Sequence, residues 1–511
     1  MSLNLVINEL LDHSPEKAVE HVRALGSSPT EQKQKADTYI DAGISLNRPY
    51  LIRAGILILK KECSAGNGAA AHYYSLANGL SAYSEVYKRI HQSKSQRAKR
   101  NSEARSYYGK VLVSEDSPTQ LRSQAATNIA NHLKVRGRYI EALDYYNEAL
   151  DIMPRNAVAA VGELSLIDQL RYFIVHEHEW YRFYAETNSL YRRSVFLEDT
   201  IRNNLDVLAD LAGNQHVEFA QKLIEHRTSF NLPEQTSSQD SYETWVQKNN
   251  LALSLFCSPE EYNKKRYDLL SVPSFRGVGI SGSKPPDIFR MFNIIKSDYV
   301  LARRVLFEAS NESFEETANY SDTLDYATYG INVAAMASAQ KTALDILEKI
   351  SVIIACLLDL PSAERFHFKK TAFWRRKKGG SSWELTHKEV LRQIASKNNM
   401  MSVFLEIICD LHEDEDGYLS HLTSLRNFTT HRFLSVHDFP FAPEDAEKSH
   451  VGHFQQNELL DGAMKSLRLA RACMFYLVDF IKRHQDQEQH ASDLIMSFDV
   501  PDHHWVRGRD I

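Results

Sequence analysis

ATNIANHLKVRGRYIEALDYYNEALDIMP, residues 126–154, carries the pattern from which the fold is read. Ile129, Ala130 and Leu133 recur at helical spacing, Gly137 interrupts them, and Tyr139, Ala142, Tyr146 and Ala149 resume the spacing before Pro154 closes the stretch. A helical period broken once by glycine predicts two antiparallel helices, here over residues 123–136 and 139–152. Small residues at Ala130, Ala142 and Ala149 let such a pair approach closely. Gly137 supplies the turn, and Pro154 cannot continue a helix.

The same positions resemble a tetratricopeptide repeat, including the alanine-to-aromatic step from Ala142 to Tyr146 and the closing proline. Weaker copies precede it. Glu103-Ala104 with Tyr108 repeats Glu141-Ala142 with Tyr146, Tyr74 to Tyr83 matches a first helix, and Ala36, Tyr39, Ala42 and Gly43 followed by Ala54 and Ile58 match another pair. The pitch is irregular, because Ala104 and Ala142 stand 38 residues apart against about 34 in the regular repeat. The basic stretch KRIHQSKSQRAKR, residues 88–100, separates the helices of that degenerate unit. One unit cannot bury its own apolar face, so several are expected to stack. The resemblance implies a concave surface for a peptide, protein or nucleic-acid partner; the alternative is an array that only scaffolds the chain and its oligomer.

A chain of 511 residues has room for about two to four domains. A hydrophobic content of 43%, a charged content of 25% and only 14 Pro point to an ordinary globular protein that leans helical, and with the helical spacings along the chain the expected class is all-α. The net charge of −6 argues against a protein that coats nucleic acid through bulk charge, so any such contact must come from local patches. Cys63, Cys257, Cys356, Cys409 and Cys473 lie far apart without a Cys-x-x-Cys pair, which argues against a zinc or redox site and for buried free thiols in a reducing compartment. MSLNLVINELLDHSPEKAVEH, residues 1–21, reads as an amphipathic helix and not as a signal peptide. The most apolar stretch, Ile346 to Leu360, still carries Glu348, Lys349, Ser351 and Asp359. No membrane contact and a cytoplasmic location are therefore expected.

Four segments emerge: repeats over 1–160, a helical middle region over 161–287 ending in a flexible boundary, a helical bundle over 288–490, and a tail over 491–511. In the middle, Leu164, Ile167, Leu170 and Phe173/Ile174 share one helix face, and Leu205, Leu208 and Leu211 another. His176-Glu177-His178-Glu179 does not read as a metal site, because helical residues two apart point about 200° from each other. LPEQTSSQDSYE, residues 232–243, reads as a loop or linker. The stretch from Ser271 to Asp287 contains Gly277-x-Gly279-x-x-Gly282. No apolar strand leads into it, and Lys284-Pro285-Pro286 stands where a dinucleotide fold opens a helix, so it reads as a boundary.

Helical spacing returns at Phe292, Ile295, Tyr299, Ala302 and Leu306, from Ile331 to Leu358, and from Leu459 to Ile481. Between these lies SHLTSLRNFTTHRFLSVHD, residues 420–438, bounded by Glu413-Asp414-Glu415-Asp416-Gly417 and by Phe439-Pro440-Phe441-Ala442-Pro443. Read as one helix, it turns Leu419, Leu422, Leu425, Phe428, Phe433 and Val436 to the core, and the preceding acids complement its positive end. Asn427 and His431 stand about 40° apart on the opposite side, with Arg426 about 140° from His431. One such helix does not easily aim Arg426 and His431 at one phosphate, whereas two copies across a symmetry axis do.

Arg426-Asn427 followed by His431 on a late helix resembles the signature of the HEPN superfamily of ribonucleases. Together with the repeats it is similar to bacterial HEPN proteins of anti-phage and toxin systems. The resemblance implies a homodimeric endoribonuclease that needs no metal and no cofactor. The ribose 2′-hydroxyl attacks the adjacent phosphodiester and leaves a 2′,3′-cyclic phosphate, which confines cleavage to RNA. His431 would exchange the proton, Arg426 would meet the charge that builds on the phosphate, and Asn427 would position His431 or a non-bridging oxygen. Only three positions carry this chemistry. The same residues also fit a solvated helix face with Arg426 in a surface ion pair, and with it a non-catalytic adaptor whose repeats bind a partner while the bundle dimerises.

A second candidate is the stretch from Phe366 to Gly380, in which six Lys and Arg alternate with aromatics. Lys369, Lys370, Arg375 and Arg376 suit the phosphates of single-stranded RNA, and Phe373 and Trp374 suit its unstacked bases. A basic hairpin or loop docked on the bundle by its aromatics is the competing reading. The stretch 88–100 has cations without aromatics.

Overall fold

The computed structural model describes residues 3–87, 94–177, 184–225, 241–255, 267–272, 275–277, 287–360, 362–368, 374–376, 383–385, 398–412, 417–439, 450–487 and 496–498. The stretch expected to form one N-terminal helix forms two, α1 (Leu3–His13) and α2 (Pro15–Arg23). Pro15 lacks an amide hydrogen and so begins a helix more readily than it continues one. Three helical hairpins follow: α3 (Pro29–Ser45) with α4 (Pro49–Glu62), α5 (Ala70–Tyr87) with α6 (Lys94–Val113), and α7 (Thr119–Val135) with α8 (Tyr139–Ile152). Ser28 and Glu31 cap α3 reciprocally. Helices α3 and α4 touch through glycine, since a methyl group at Gly55 would lie 2.6 Å from the Ala36 carbonyl oxygen. Residues 94–100 of the basic stretch form the first turns of α6.

The best-formed hairpin is α7 with α8. Gly137 joins its helices at φ +81°, a conformation that favours glycine. The Ser123 hydroxyl donates to the Ala149 carbonyl at 2.7 Å, and the Tyr146 hydroxyl donates to Asn131 at 2.6 Å. Ala130, Ala142 and Ala149 are fully buried. Because Ala142 is fully buried, Ala142→Leu is expected to overpack the pair and cost about 1–3 kcal/mol, read as a lower midpoint in denaturant unfolding. An unchanged midpoint would contradict that packing.

The middle of the chain is α9 (Ala157–Glu177), α10 (Tyr184–Arg202), α11 (Leu205–Ala212), α12 (Asn214–Glu225) and α13 (Ser241–Lys248). Helix α13 begins inside the stretch read as a linker, of which residues 232–240 lie outside the described residues. The side chains of the His176–Glu179 cluster also lie outside them. A short strand β1 (Phe275–Gly277) holds the first glycine of that stretch, but its sequence Phe-Arg-Gly is not an apolar run and it pairs antiparallel with β7 (Met496–Phe498), unlike a strand of a βαβ unit.

The C-terminal part comprises α14 (Asp287–Ser310), α15 (Ile331–Leu357), α16 (Met400–Asp410), α17 (Ser420–His431) and α18 (Gln456–Gln487). Helices α14, α15 and α18 pack on one another, and α17 packs on α15 and α18. Five more short strands lie here: β2 (Ala327–Thr328), β3 (Trp374–Arg376) paired with β4 (Trp383–Leu385), and β5 (Phe433–His437) beside β6 (Val451–Gln455). Strand β5 is central, antiparallel to β2 and parallel to β6. With eighteen helices and three small sheets among the described residues, the class is all-α. No described helix is long and apolar enough to cross a membrane. Cys409 and Cys473 are buried free thiols as expected, while Cys63 and Cys356 are only half-buried.

One continuous apolar core runs from Ala77 to Ile481, so the hairpins and the C-terminal helices share an interior. Charge crosses that interior too. Asp410, at the end of α16, accepts from Arg105 of α6 at 2.7 Å and from Arg138 at the start of α8. Arg105 also donates to Glu406 at 2.9 Å, and Arg138 to Glu141. Burial alone would raise the Asp410 carboxyl pKa, but the two guanidiniums outweigh it and hold the pKa below the usual range. The Asp410 backbone carbonyl in turn accepts from the Leu419 amide at 2.7 Å, one residue before α17.

Candidate functional site

Helix α17 is fixed on three sides by its own sequence. Leu422 and Leu425 are buried, Leu425 lying so close to α18 that a methyl group at Gly462 would meet it at 2.7 Å. The Gln340 amide of α15 donates to the Leu422 carbonyl at 3.0 Å, and the Thr423 hydroxyl donates to the Leu411 carbonyl at 3.0 Å. Phe428 leans on the sheet, edge-to-face with Phe454 at 5.4 Å.

The helix ends at His431, whereas helical spacing alone predicts that it continues through Val436. Arg432 is extended and Phe433–His437 form β5. Phe433, expected in the core, is 71% exposed, whereas Val436 is buried, in the sheet and not on a helix. The alternation of Phe433, Leu434, Ser435, Val436 and His437 meets partners on both edges, and that pairing overrides the helical spacing.

Arg426 is half-buried and paired across to α15. Its Nη2 is 2.6 Å from Asp345 Oδ1 and its Nη1 is 3.4 Å from Glu348 Oε1. Two carboxylates one helical turn apart thus hold one guanidinium. Asn427 is half-buried and His431, the last residue of the helix, is exposed. The three motif residues therefore share one helix, but Arg426 turns to α15 while His431 stands at the exposed end.

Glu348 also ties this helix to the basic stretch, accepting from the Phe368 amide at 2.9 Å, with His367 Nδ1 at 3.4 Å. Phe366 and Phe368 are buried, Phe368 against Phe404, so these two rings belong to the core and are not open to bases. Lys369, Lys370 and Phe373 lie outside the described residues. Trp374, Arg375 and Arg376 form β3, antiparallel to β4 with Arg375 opposite Glu384, and β4 lies beside α6.

Residues 280–484 match the family described as LA2681-like HEPN. The C-terminal domain is similar to the HEPN superfamily. The matched HEPN region contains α14 to α17 and nearly all of α18, and with them Arg426, Asn427, His431 and the two carboxylates that hold Arg426. No curated protein and no solved structure matches the chain. Sequence reasoning missed the pair Asp345 and Glu348, although their i, i+3 spacing on an apolar helix marks one polar stripe.

Proposed function

We propose that the protein is a HEPN-type endoribonuclease that cleaves RNA by 2′-hydroxyl attack, without a metal in the chemical step, as a homodimer. The observation that carries the reading is that Arg426, Asn427 and His431 lie on one helix inside the residues matched to the HEPN family. An exposed imidazole at a helix end is accessible to a 2′-hydroxyl, and imidazole exchanges protons near neutral pH. The Arg426 fork has five N–H donors, of which Asp345 and Glu348 engage two groups, leaving others for a phosphate oxygen. Since Arg426 and His431 diverge on one helix, a second copy supplies the complementary group to a shared cleft. Residues 1–160 serve as a partner-binding array that restrains or triggers cleavage, in a defence or toxin setting in the cytoplasm. Purified protein incubated with total RNA in EDTA should yield fragments ending in 2′,3′-cyclic phosphate; intact RNA under all such conditions would refute the assignment.

The basic stretch is assigned to substrate affinity. Replacing Lys369, Lys370, Arg375 and Arg376 together by Ala should weaken RNA binding and flatten its dependence on salt by about 0.7 in log–log slope for each phosphate no longer neutralised. A filter-binding titration over a range of salt reads this directly, and an unaltered slope would return the stretch to a structural role.

A second reading has one specific observation in its favour. Arg426 already sits between Asp345 and Glu348, as a structural residue would. On this reading the chain is a non-catalytic adaptor that binds a partner through its hairpins and dimerises through its HEPN domain. Capture of a partner by residues 1–160 without any RNA cleavage would favour it.

A further inference from the structure

Strand β5 is registered so that Ser435 lies opposite His453 of β6 and His437 opposite Gln455. Side chains alternate along a strand, so Ser435, His437 and His453 share one face of the sheet, while Val436 and Phe454 share the other. The second face meets α17 through Phe428. The first is met by the chain leading into β2, which brings Asp325 over it. Asp325, His437 and His453 each present one oxygen or nitrogen, and these three atoms lie within 4.8 Å of one another.

The ring of His437 is oriented from behind. Its Nδ1 is 3.1 Å from the Asp325 backbone carbonyl, which can only accept, so Nδ1 carries the hydrogen and Nε2 of the neutral ring offers its lone pair. That Nε2 is 2.9 Å from His453 Nδ1. A backbone carbonyl holding one imidazole nitrogen while the other faces a second imidazole, with a carboxylate within reach of both rings, resembles the arrangement found around metal-bound histidines. A separate observation points the same way. Ser435 is 4% exposed and its hydroxyl is buried with no hydrogen-bond partner among the described residues, on the same face as the two histidines. Buried hydroxyls are normally satisfied, and a water on the open position of a three-ligand ion would satisfy this one.

We propose that Asp325, His437 and His453 form a binding site for one divalent transition-metal ion of the zinc type, which fastens the chain before β2 to the sheet. Two imidazoles and one carboxylate are a donor set for zinc and its neighbours; magnesium and calcium prefer oxygen alone. Nitrogens bound tetrahedrally to zinc stand about 3.3 Å apart, so the two rings need part by only a few tenths of an ångström. The ion would tie positions 112 residues apart, Asp325 and His437, and so close a long loop. The site uses none of the motif residues and does not depend on the nuclease reading.

The test uses the full chain, stripped with a chelator and dialysed. Zn²⁺ titrated against a chromophoric competitor should occupy one site per chain in the wild type. Asp325→Asn and His453→Gln, at half-buried positions, should each lose that site or weaken it on the order of 100-fold. Zn²⁺ should raise the melting temperature of the wild type and of neither variant, with circular dichroism verifying that both are folded. Independently of any variant, Co²⁺ should give visible absorption bands in the wild type that Zn²⁺ displaces. Equal zinc binding in the wild type and both variants, or a wild type that gives no cobalt bands, would overturn the proposal and leave the two rings sharing a proton.

Discussion

Replacing His431 by Ala is expected, on the proposed nuclease reading, to slow RNA cleavage on the order of 100-fold or more while leaving the fold intact. The imidazole is exposed at the last residue of α17, so its removal opens no cavity, and what would be lost on the proposed nuclease reading is proton transfer. Arg426→Ala should damage the rate comparably, because a phosphate gaining charge loses its planar fork of donors. Its cost to stability should be small, since Arg426, Asp345 and Glu348 are all partly open to solvent and such pairs contribute about 0–1 kcal/mol. The two variants together test the dimer. If each protomer gives Arg426 to a cleft completed by His431 of its partner, mixing the two inactive proteins should restore part of the activity, through heterodimers with one intact site. Single-turnover cleavage of a labelled RNA measures all three samples. Full activity in both single variants would end the nuclease reading, and inactive singles with no recovery on mixing would refute the shared cleft.

What could be read in the sequence was what is local. Gly137 between two runs of small and aromatic residues specifies the α7–α8 hairpin over a short span of chain, and Arg426, Asn427 and His431 announce themselves within one helix. The failures share a cause. Phe433 and Val436 continue a helical spacing as readily as they alternate in a strand, and only the remote β2 and β6 decide between the two. Likewise Asp345 reaches Arg426 across 81 residues, and Asp325 reaches His437 across 112. No periodicity reports such meetings, because they are made by packing. Pro15 is a local signal of the same kind: it divides α1 from α2 where a backbone donor is missing, a boundary that the apolar spacing of residues 1–21 runs straight through.

The same contrast between local and remote makes Asp410 the position whose loss should be felt most widely. Its carboxylate is fully buried between Arg105 of α6 and Arg138, the residue before α8, and its backbone carbonyl holds the residue before α17. Removing one partner of a buried ion pair costs about 3–5 kcal/mol, because the opposite charge is left in a medium that solvates it poorly. Arg105 keeps Glu406 and Arg138 keeps Glu141, so Asp410→Ala should fall near the lower end, about 3 kcal/mol, in equilibrium urea unfolding. The pH dependence identifies the cause. Asp410 has a carboxyl pKa depressed in the folded chain, so its contribution is present above the unfolded value of about 3.9 and is lost as the pH falls through the lower folded value. Asp410→Asn, which keeps the shape and removes the charge, should therefore be weaker than the wild type at pH 7 by a margin that narrows below about pH 3.9. A margin that stays constant from about pH 7 to about pH 3 would mean that packing, and not charge, holds α16 against the hairpins. Because the link runs from α6 and α8 through Asp410 to Leu419 and α17, Asp410→Asn should also loosen the motif helix, seen as faster amide exchange over residues 420–431 than in the wild type. Unchanged exchange there would show that α15 and α18 alone hold the motif in place.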